Sequence, residues 1–183
     1  VVVTTPALLS RRAAAAFGEA WAKLGGQVRE SIEFAGSLAR VRQAVDRARA
    51  DIIFLATDAE RARLLRPYLG RHAQVIGTSQ VYGGAPRNDA ARPLDLNGVR
   101  FVDMPWLHQP DHAAAMVFPR PETQLSADLE RIYALGIDAY RLAVELGKAR
   151  NPSAIRLDGV TGDLKPGKDR VFERQLPVSL IGE

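Results

Sequence analysis

The chain has 183 residues, with 46% hydrophobic and 25% charged side chains, the composition of an ordinary globular protein. It has no cysteine, which excludes a disulfide scaffold, an iron–sulfur or thiolate-zinc protein and a cysteine nucleophile, and no apolar run approaches the roughly 20 residues of a membrane span. Lys+Arg exceed Asp+Glu by 25 to 21, and Val1–Val75 hold 12 basic against 7 acidic residues, so the first part is mildly basic.

Val1-Val2-Val3-Thr4-Thr5 is a β-branched run expected to form a strand. With no initiator Met and no leader before it, it reads as the start of a C-terminal piece of something longer. Pro6 stops the strand. Ser10 is then expected to cap a helix whose Ala13, Phe17, Ala20, Trp21 and Leu24 recur at helical spacing until Gly25-Gly26. Gln27–Phe34 alternates like a strand, and Ser37 opens a helix with Leu38, Val41, Ala44, Val45 and Ala48 on one face. Asp51–Thr57 is a continuous apolar strand of the kind buried on both faces. Asp58 caps a third helix through Leu69, closed by Gly70, and Ala73–Gly77 is the next strand. Strands alternating with helices over short connections predict an α/β fold, a doubly wound and mostly parallel sheet with helices on both faces.

After Thr78 the rhythm breaks. Ser79–Asn97 reads as a long loop, Val99–Met104 as a strand, and Pro105 to Gln124 as irregular. Leu125–Gly147 is the longest expected helix. Its apolar stripe is too wide for one sheet edge, so exposed apolar surface is predicted on it unless another chain covers it. Ala154–Asp158 and Arg170–Ile181 finish as short strands around a Gly159–Gly162 turn.

Little in the chain points to bond-making chemistry. The first βα turn, Thr4-Thr5-Pro6-Ala7, lacks the glycines of a phosphate cradle, so no nucleotide or other cofactor is expected. Ser79, Asp103 and His108 follow the chain order of a hydrolase triad, but the Asp–His spacing is short and Gly77-Thr78-Ser79-Gln80-Val81 lacks the second glycine of a nucleophile elbow. His108 and His112 flank Pro110, which argues against a helical metal pair. Asp138, between apolar neighbours on the long helix, is expected to be partly buried and hydrogen-bonded to a turn. Trp106 lies just past a strand end, where open sheets present a crevice. The spread arginines, without interleaved aromatics, read as solvated helix faces, and no nucleic-acid partner is expected; an acidic protein partner or a polyanionic surface is the alternative reading.

Several strings are familiar. Gly77–Gly84, the run Asp95-Leu96-Asn97-Gly98-Val99-Arg100-Phe101-Val102-Asp103-Met104-Pro105-Trp106-Leu107, Arg131–Ala143 and Leu157–Leu164 with Arg174-Gln175-Leu176 resemble the LppC/LpoA lipoproteins. That resemblance implies a domain like the type I periplasmic binding proteins, two α/β lobes around a cleft. Residues 1–104 with 170–183 would form the second lobe, and 106–168 a crossover segment belonging to a first lobe that lies mostly upstream. It also implies a non-enzymatic role at the periplasmic face of the outer membrane, binding and activating a class A penicillin-binding protein in peptidoglycan synthesis. The membrane would be reached only through an N-terminal lipid anchor absent from this sequence. The alternative is a periplasmic solute-binding protein for an amino acid or peptide; a hydrolase ranks third. Thr4, Thr5, Thr57, Asp58, Thr78, Ser79, Tyr82 and Trp106 are the expected cleft residues for a small ligand.

Overall fold

The computed structural model describes residues 1–84 and 94–182. It divides into two units: Val1–Phe101 with Leu180–Glu183, and Val102–Ser179.

Unit 1 begins with β1 (Val2–Thr4), α1 (Leu8–Lys23), β2 (Ser31–Glu33), α2 (Leu38–Ala48), β3 (Ile52–Ala56), α3 (Ala59–Leu65) and β4 (Gln74–Gly77). Past β4, the described residues hold the 3-10 turns Ser79–Val81 and Leu94–Leu96 and then β5 (Arg100–Val102); much later in the chain β9 (Val178–Leu180) closes the sheet, entering unit 1 at Leu180. The sheet order is β2-β1-β3-β4-β5-β9, and β1 to β5 pair in parallel. A chain that moves from β1 out to β2 and then back past β1 to β3 must place α1 on one face and α2 and α3 on the other, because right-handed crossovers leave no alternative.

Packing follows the period-2 alternation of the strands. Val1, Val3, Ile53, Leu55 and Val75 meet Val41, Val45 and Ala48 of α2 and Ala62 and Leu65 of α3. Their alternates Val2, Phe54 and Ala56 meet Ala13, Ala14 and Phe17 of α1, where the Phe17 ring stacks on Phe54 at 4.0 Å. Each fully buried Val, Ile or Leu here contributes about 1.5–3 kcal/mol by leaving water.

The boundaries shift for identifiable reasons. α1 starts at Leu8 with Ala7 as its cap residue, so Ser10 lies inside the helix and its hydroxyl accepts from Thr5 instead of capping. Pro67 has no N–H for an α-helical bond, so the third helix ends at Leu65 and continues as a 3-10 turn, Arg66–Tyr68. Residues 85–93, with Pro86 and Pro93 of the expected loop, lie outside the described residues.

Unit 2 contains α4 (Pro105–His108), α5 (Ala113–Met116), α6 (Ala127–Lys148), β6 (Leu157–Gly159), β7 (Gly162–Pro166) and β8 (Phe172–Gln175). The expected irregular stretch holds two short helices, because Pro105 sits in the first turn of α4, where its missing N–H costs nothing. α6, about 33 Å long at 1.5 Å per residue, is capped by the Ser126 hydroxyl, with Asp128 and Glu130 in its first turn and Lys148 in its last. Ala134 and Asp138 are its buried positions, while Leu129, Ile132 and Tyr140 are 50%, 63% and 72% exposed. The over-wide stripe is therefore open, as the sequence anticipates. β6, β7 and β8 form an antiparallel sheet of three strands.

Candidate functional site

The parallel strands of unit 1 deliver their C-terminal ends to one edge of the sheet, and the winding direction reverses between β1 and β3, where such sheets open a crevice. Thr4 is in register with Ala56, and Leu55 with Gly77, so Thr5, Thr57 and Thr78 leave adjacent strands along this edge. The Thr4 and Thr5 side chains are buried; their hydroxyls donate to the Thr5 carbonyl at 3.4 Å and the Ser10 hydroxyl at 2.9 Å. Thr57 is 2% exposed, and its buried hydroxyl meets no hydrogen-bond partner among the described residues.

Asp58 closes the β3 end by capping α3. Its carboxylate accepts from the Arg61 backbone N–H at 2.9 Å and from the Arg61 guanidinium at 2.5 Å. Burial alone would raise this carboxyl, but the backbone and guanidinium bonds from Arg61 outweigh it and hold the group below the usual carboxylate range. Beyond β4, Thr78 accepts from the Val81 N–H at 3.1 Å, opening the Ser79–Val81 turn, and Tyr82 stacks on Phe101 at 4.9 Å. A side chain at Gly77 would force Val81 to move, because a Cβ would lie 2.6 Å from the Val81 side chain. At the same end of β2, Arg11 and Glu33 are joined by two bonds of 2.7 and 2.9 Å, each using up the other's charge. The edge is thus rich in hydroxyls and poor in free opposite charges.

Polar chemistry in unit 2 is turned inward. The buried Asp103 carboxylate accepts from Arg131 Nη2 at 2.7 Å and from the Met104 N–H at 2.8 Å, and Arg131 also reaches Asp128 at 2.7 Å. Burial would lower the Arg131 guanidinium, but its bonds to Asp103 and Asp128 raise it above its ordinary value. Asp138, 1% exposed, accepts from the N–H groups of Val160 and Thr161 at 3.2 and 2.8 Å, from the Thr161 hydroxyl at 2.7 Å and from Arg141 at 3.0 Å. The hydrogen-bonded turn expected for it is the β6–β7 turn.

His108 does not complete a triad with Asp103: its Nε2 meets the Asp103 backbone carbonyl at 3.0 Å, and its Nδ1 meets the Ser179 hydroxyl at 2.7 Å, while Asp103's carboxylate is held by Arg131. His112 faces Asp158 instead, at 3.4 Å, and no group of three metal-ligating side chains occurs among the described residues. Trp106 corrects the cleft assignment. It has no exposed surface, donates through its indole to Glu130 at 2.6 Å and lies beneath the Arg120 guanidinium at 3.7 Å, so it is a core anchor of unit 2 with no face to offer a ligand. Arg131, Glu130, Arg141 and Ser179 were not foreseen. The Asp138–Arg141 and Asp128–Arg131 spacings of three on a helix gave local signals; Asp103 and Arg131 are 28 residues apart.

The family model of the LppC lipoproteins matches residues 35–178. The chain belongs to the LppC family. A curated relative, the penicillin-binding protein activator LpoA of Aliivibrio fischeri, is 24% identical over 207 residues, covering 96% of this chain and 34% of its own length. This LppC chain therefore spans about a third of the length of that relative. Among solved structures, a Chromobacterium violaceum protein described as a branched-chain amino acid ABC transporter is 44% identical with a TM-score of 0.84, covering 98% of this chain and 57% of the other. The LpoA (YraM) C-domain of Haemophilus influenzae, described as a regulator of PBP1A, matches at TM-score 0.75 and 21% identity over the same shares. The LppC chain has a periplasmic-binding-protein-like fold, as the sequence predicts. No helix among its described residues is long and apolar enough to cross a membrane.

Proposed function

We propose that this chain is a non-enzymatic docking module that binds a class A penicillin-binding protein and activates it in peptidoglycan synthesis, within a periplasmic lipoprotein held at the outer membrane. The observation that carries this reading is the LppC match over residues 35–178, joined by likeness to an LpoA activator across 96% of the chain. The inward-turned polar groups support it: Asp103, Asp138 and Arg131 are spent on bonds within unit 2. On this reading residues 1–104 and 170–183 are the second lobe of a two-lobed fold and 106–168 a crossover segment of the first, which suits the exposed apolar residues of α6. Activation then requires tighter binding to the synthase's active conformation than to its resting one, since equal affinity would shift nothing.

The test is direct. The purified chain is added to a purified class A penicillin-binding protein, and binding and the rate of glycan polymerisation are measured together. Binding with an increased rate supports the proposal; no binding at micromolar concentration rejects it.

A second reading, a solute-binding module for an amino acid or peptide, is favoured by the 44% identical structure and by the unpartnered Thr57 hydroxyl. Thr4, Thr5, Asp58, Thr78, Ser79 and Tyr82 would share that edge, without Trp106. A ligand at 100 times its Kd would stabilise the fold by about 2.7 kcal/mol and raise Tm by about 5–10 °C. A thermal-shift screen with leucine, isoleucine, valine and muropeptides that moves nothing would reject it.

A further inference from the structure

The positive charge of the chain is concentrated in one layer. Residues 38–72 carry eight arginines (Arg40, Arg42, Arg47, Arg49, Arg61, Arg63, Arg66 and Arg71), no lysine and four acids (Asp46, Asp51, Asp58 and Glu60). That surplus equals the formal charge of the whole chain, +4; the other 17 basic and 17 acidic residues cancel. The fold then puts this segment on one side. α2 and α3 lie on the same face of the unit 1 sheet, share one apolar core, and touch where α2 meets the Arg66–Tyr68 turn. Their apolar sides face the strands, so their arginines face outward, and all but the half-buried Arg66 are exposed.

Arg66 donates to the Gly70 carbonyl at 3.2 Å, and the other seven arginines divide into two sets. Arg42, Arg47 and Arg61 are neutralised by Asp46, Glu30 and Asp58 at 3.5, 3.2 and 2.5 Å. Arg40, Arg49, Arg63 and Arg71 have no acidic partner among the described residues. Arg40 on α2 and Arg63 on α3 therefore stand uncompensated on this layer, with Arg49 just past the end of α2 and Arg71 just past the Arg66–Tyr68 turn, each guanidinium fork geometrically suited to a carboxylate.

We propose that the outer face of α2 and α3 docks an acidic protein surface, and that this face is where the chain meets its penicillin-binding protein. The proposal rests on the functional reading above. A carboxylate-bearing protein fits better than a phosphate polyanion for two reasons. The arginines already compensated on this layer are paired with carboxylates, and Asp46, Asp51, Asp58 and Glu60 are interspersed among them, which a continuous anionic chain would meet with repulsion. Nor do aromatic side chains alternate with the arginines, as they do where bases stack: between Arg40 and Arg71 stand only Phe54, buried in β3, and the half-buried Tyr68.

The experiment compares three forms of the chain for binding to a purified class A penicillin-binding protein across a salt series. They are the native chain, an Arg40→Glu/Arg63→Glu/Arg71→Glu variant, and a Lys148→Glu/Arg150→Glu/Lys168→Glu variant with the same net charge change on unit 2. None of the six side chains is ion-paired among the described residues and all are exposed, so circular dichroism should be unaltered. The face variant is expected to bind about tenfold or more weakly at low salt, with the difference shrinking as salt screens it, and the unit 2 variant to bind like the native chain. Equal binding by the face variant, or equal loss in both variants, overturns the docking face while leaving the proposed function standing. Failure of the native chain to bind overturns both. Binding of the native chain to phosphatidylglycerol vesicles, lost in the face variant while synthase binding persists, reassigns the surface to lipid and overturns the proposal.

Discussion

Asp138→Ala tests whether unit 2 is held by a buried carboxylate. In the native chain its two oxygens satisfy the Val160 and Thr161 N–H groups, the Thr161 hydroxyl and the Arg141 guanidinium, with 1% of the residue exposed. Truncation strands these donors in a site closed to water. Hydrogen bonds to a charged group contribute about 1.5–3 kcal/mol each, and breaking a buried ion pair costs about 3–5 kcal/mol. Because the Arg141 side chain is a quarter exposed and can turn to solvent, the expected loss lies within about 3–5 kcal/mol, not at the sum. With a urea slope of about 2 kcal/mol/M, the midpoint should fall by about 1.5–2.5 M. The assay is urea unfolding followed by Trp106 fluorescence in a Trp21→Phe background, since the other tryptophan sits in unit 1. Thr161→Val, which removes only the hydroxyl donor, should cost about 1–2 kcal/mol, and its effect should largely vanish once Asp138 is alanine. A loss below about 1 kcal/mol for Asp138→Ala, or additive effects of the two changes, would refute the reasoning.

Arg131→Ala leaves the Asp103 carboxylate buried without its cation, so a loss of about 3–5 kcal/mol is expected in the same urea assay, and Arg131→Lys, which cannot fork, should recover only part of it. Asp58→Ala should cost about 0.5–2 kcal/mol at neutral pH through loss of the α3 cap. Because the folded carboxyl titrates below its unfolded value, that contribution is complete above the unfolded pKa of about 3.9 and fades as pH falls through the folded one. The gap between native and Asp58→Ala stabilities should therefore narrow as pH falls below about 4; a gap that widens on acidification would contradict the cap.

What could be read from the sequence was what is periodic. Val41, Val45 and Ala48 recur at helical spacing, and Asp51–Thr57 is apolar without interruption, so the doubly wound order of unit 1 followed from local pattern. Proline misled in both directions. Pro67 ended an α-helix inside an unbroken apolar pattern, whereas Pro105 began one in a stretch that looked irregular. The edge hydroxyls were located correctly at strand ends, since strand ends are local features. Trp106 was misjudged because its burial depends on Glu130, Arg120 and Tyr133, all supplied from well along the chain. The Asp103–Arg131 pair was invisible for the same reason: two charges 28 residues apart carry no mark of their meeting until α6 is placed.

The two units are held by different means, and that difference has a measurable consequence. Unit 1 rests on a cluster of buried apolar residues that includes Val3, Ile53, Leu55, Leu65, Leu69, Val75 and Phe101. Unit 2 has a smaller one, Trp106, Ala114, Ala115, Ala134 and Val160, in which three of the five side chains are alanine. Alanines bury little area, so hydrophobic transfer contributes far less there. The buried Asp103–Arg131 and Asp138–Thr161 contacts supply directional fixing instead, but ion pairs offset much of their own desolvation. Unit 2 should therefore open at lower free energy than unit 1. In native-state hydrogen exchange, amides of β1, β3 and β4 should be the last to exchange, and those of α4, α5 and the β6–β7 turn should exchange earlier. The Thr161 N–H, bonded to Asp138 at 2.8 Å, should be slower than its neighbours in that turn. Equal protection of the two units would mean that the polar contacts of unit 2 stabilise it as strongly as the apolar layer stabilises unit 1, and the division of labour argued from their cores would not hold.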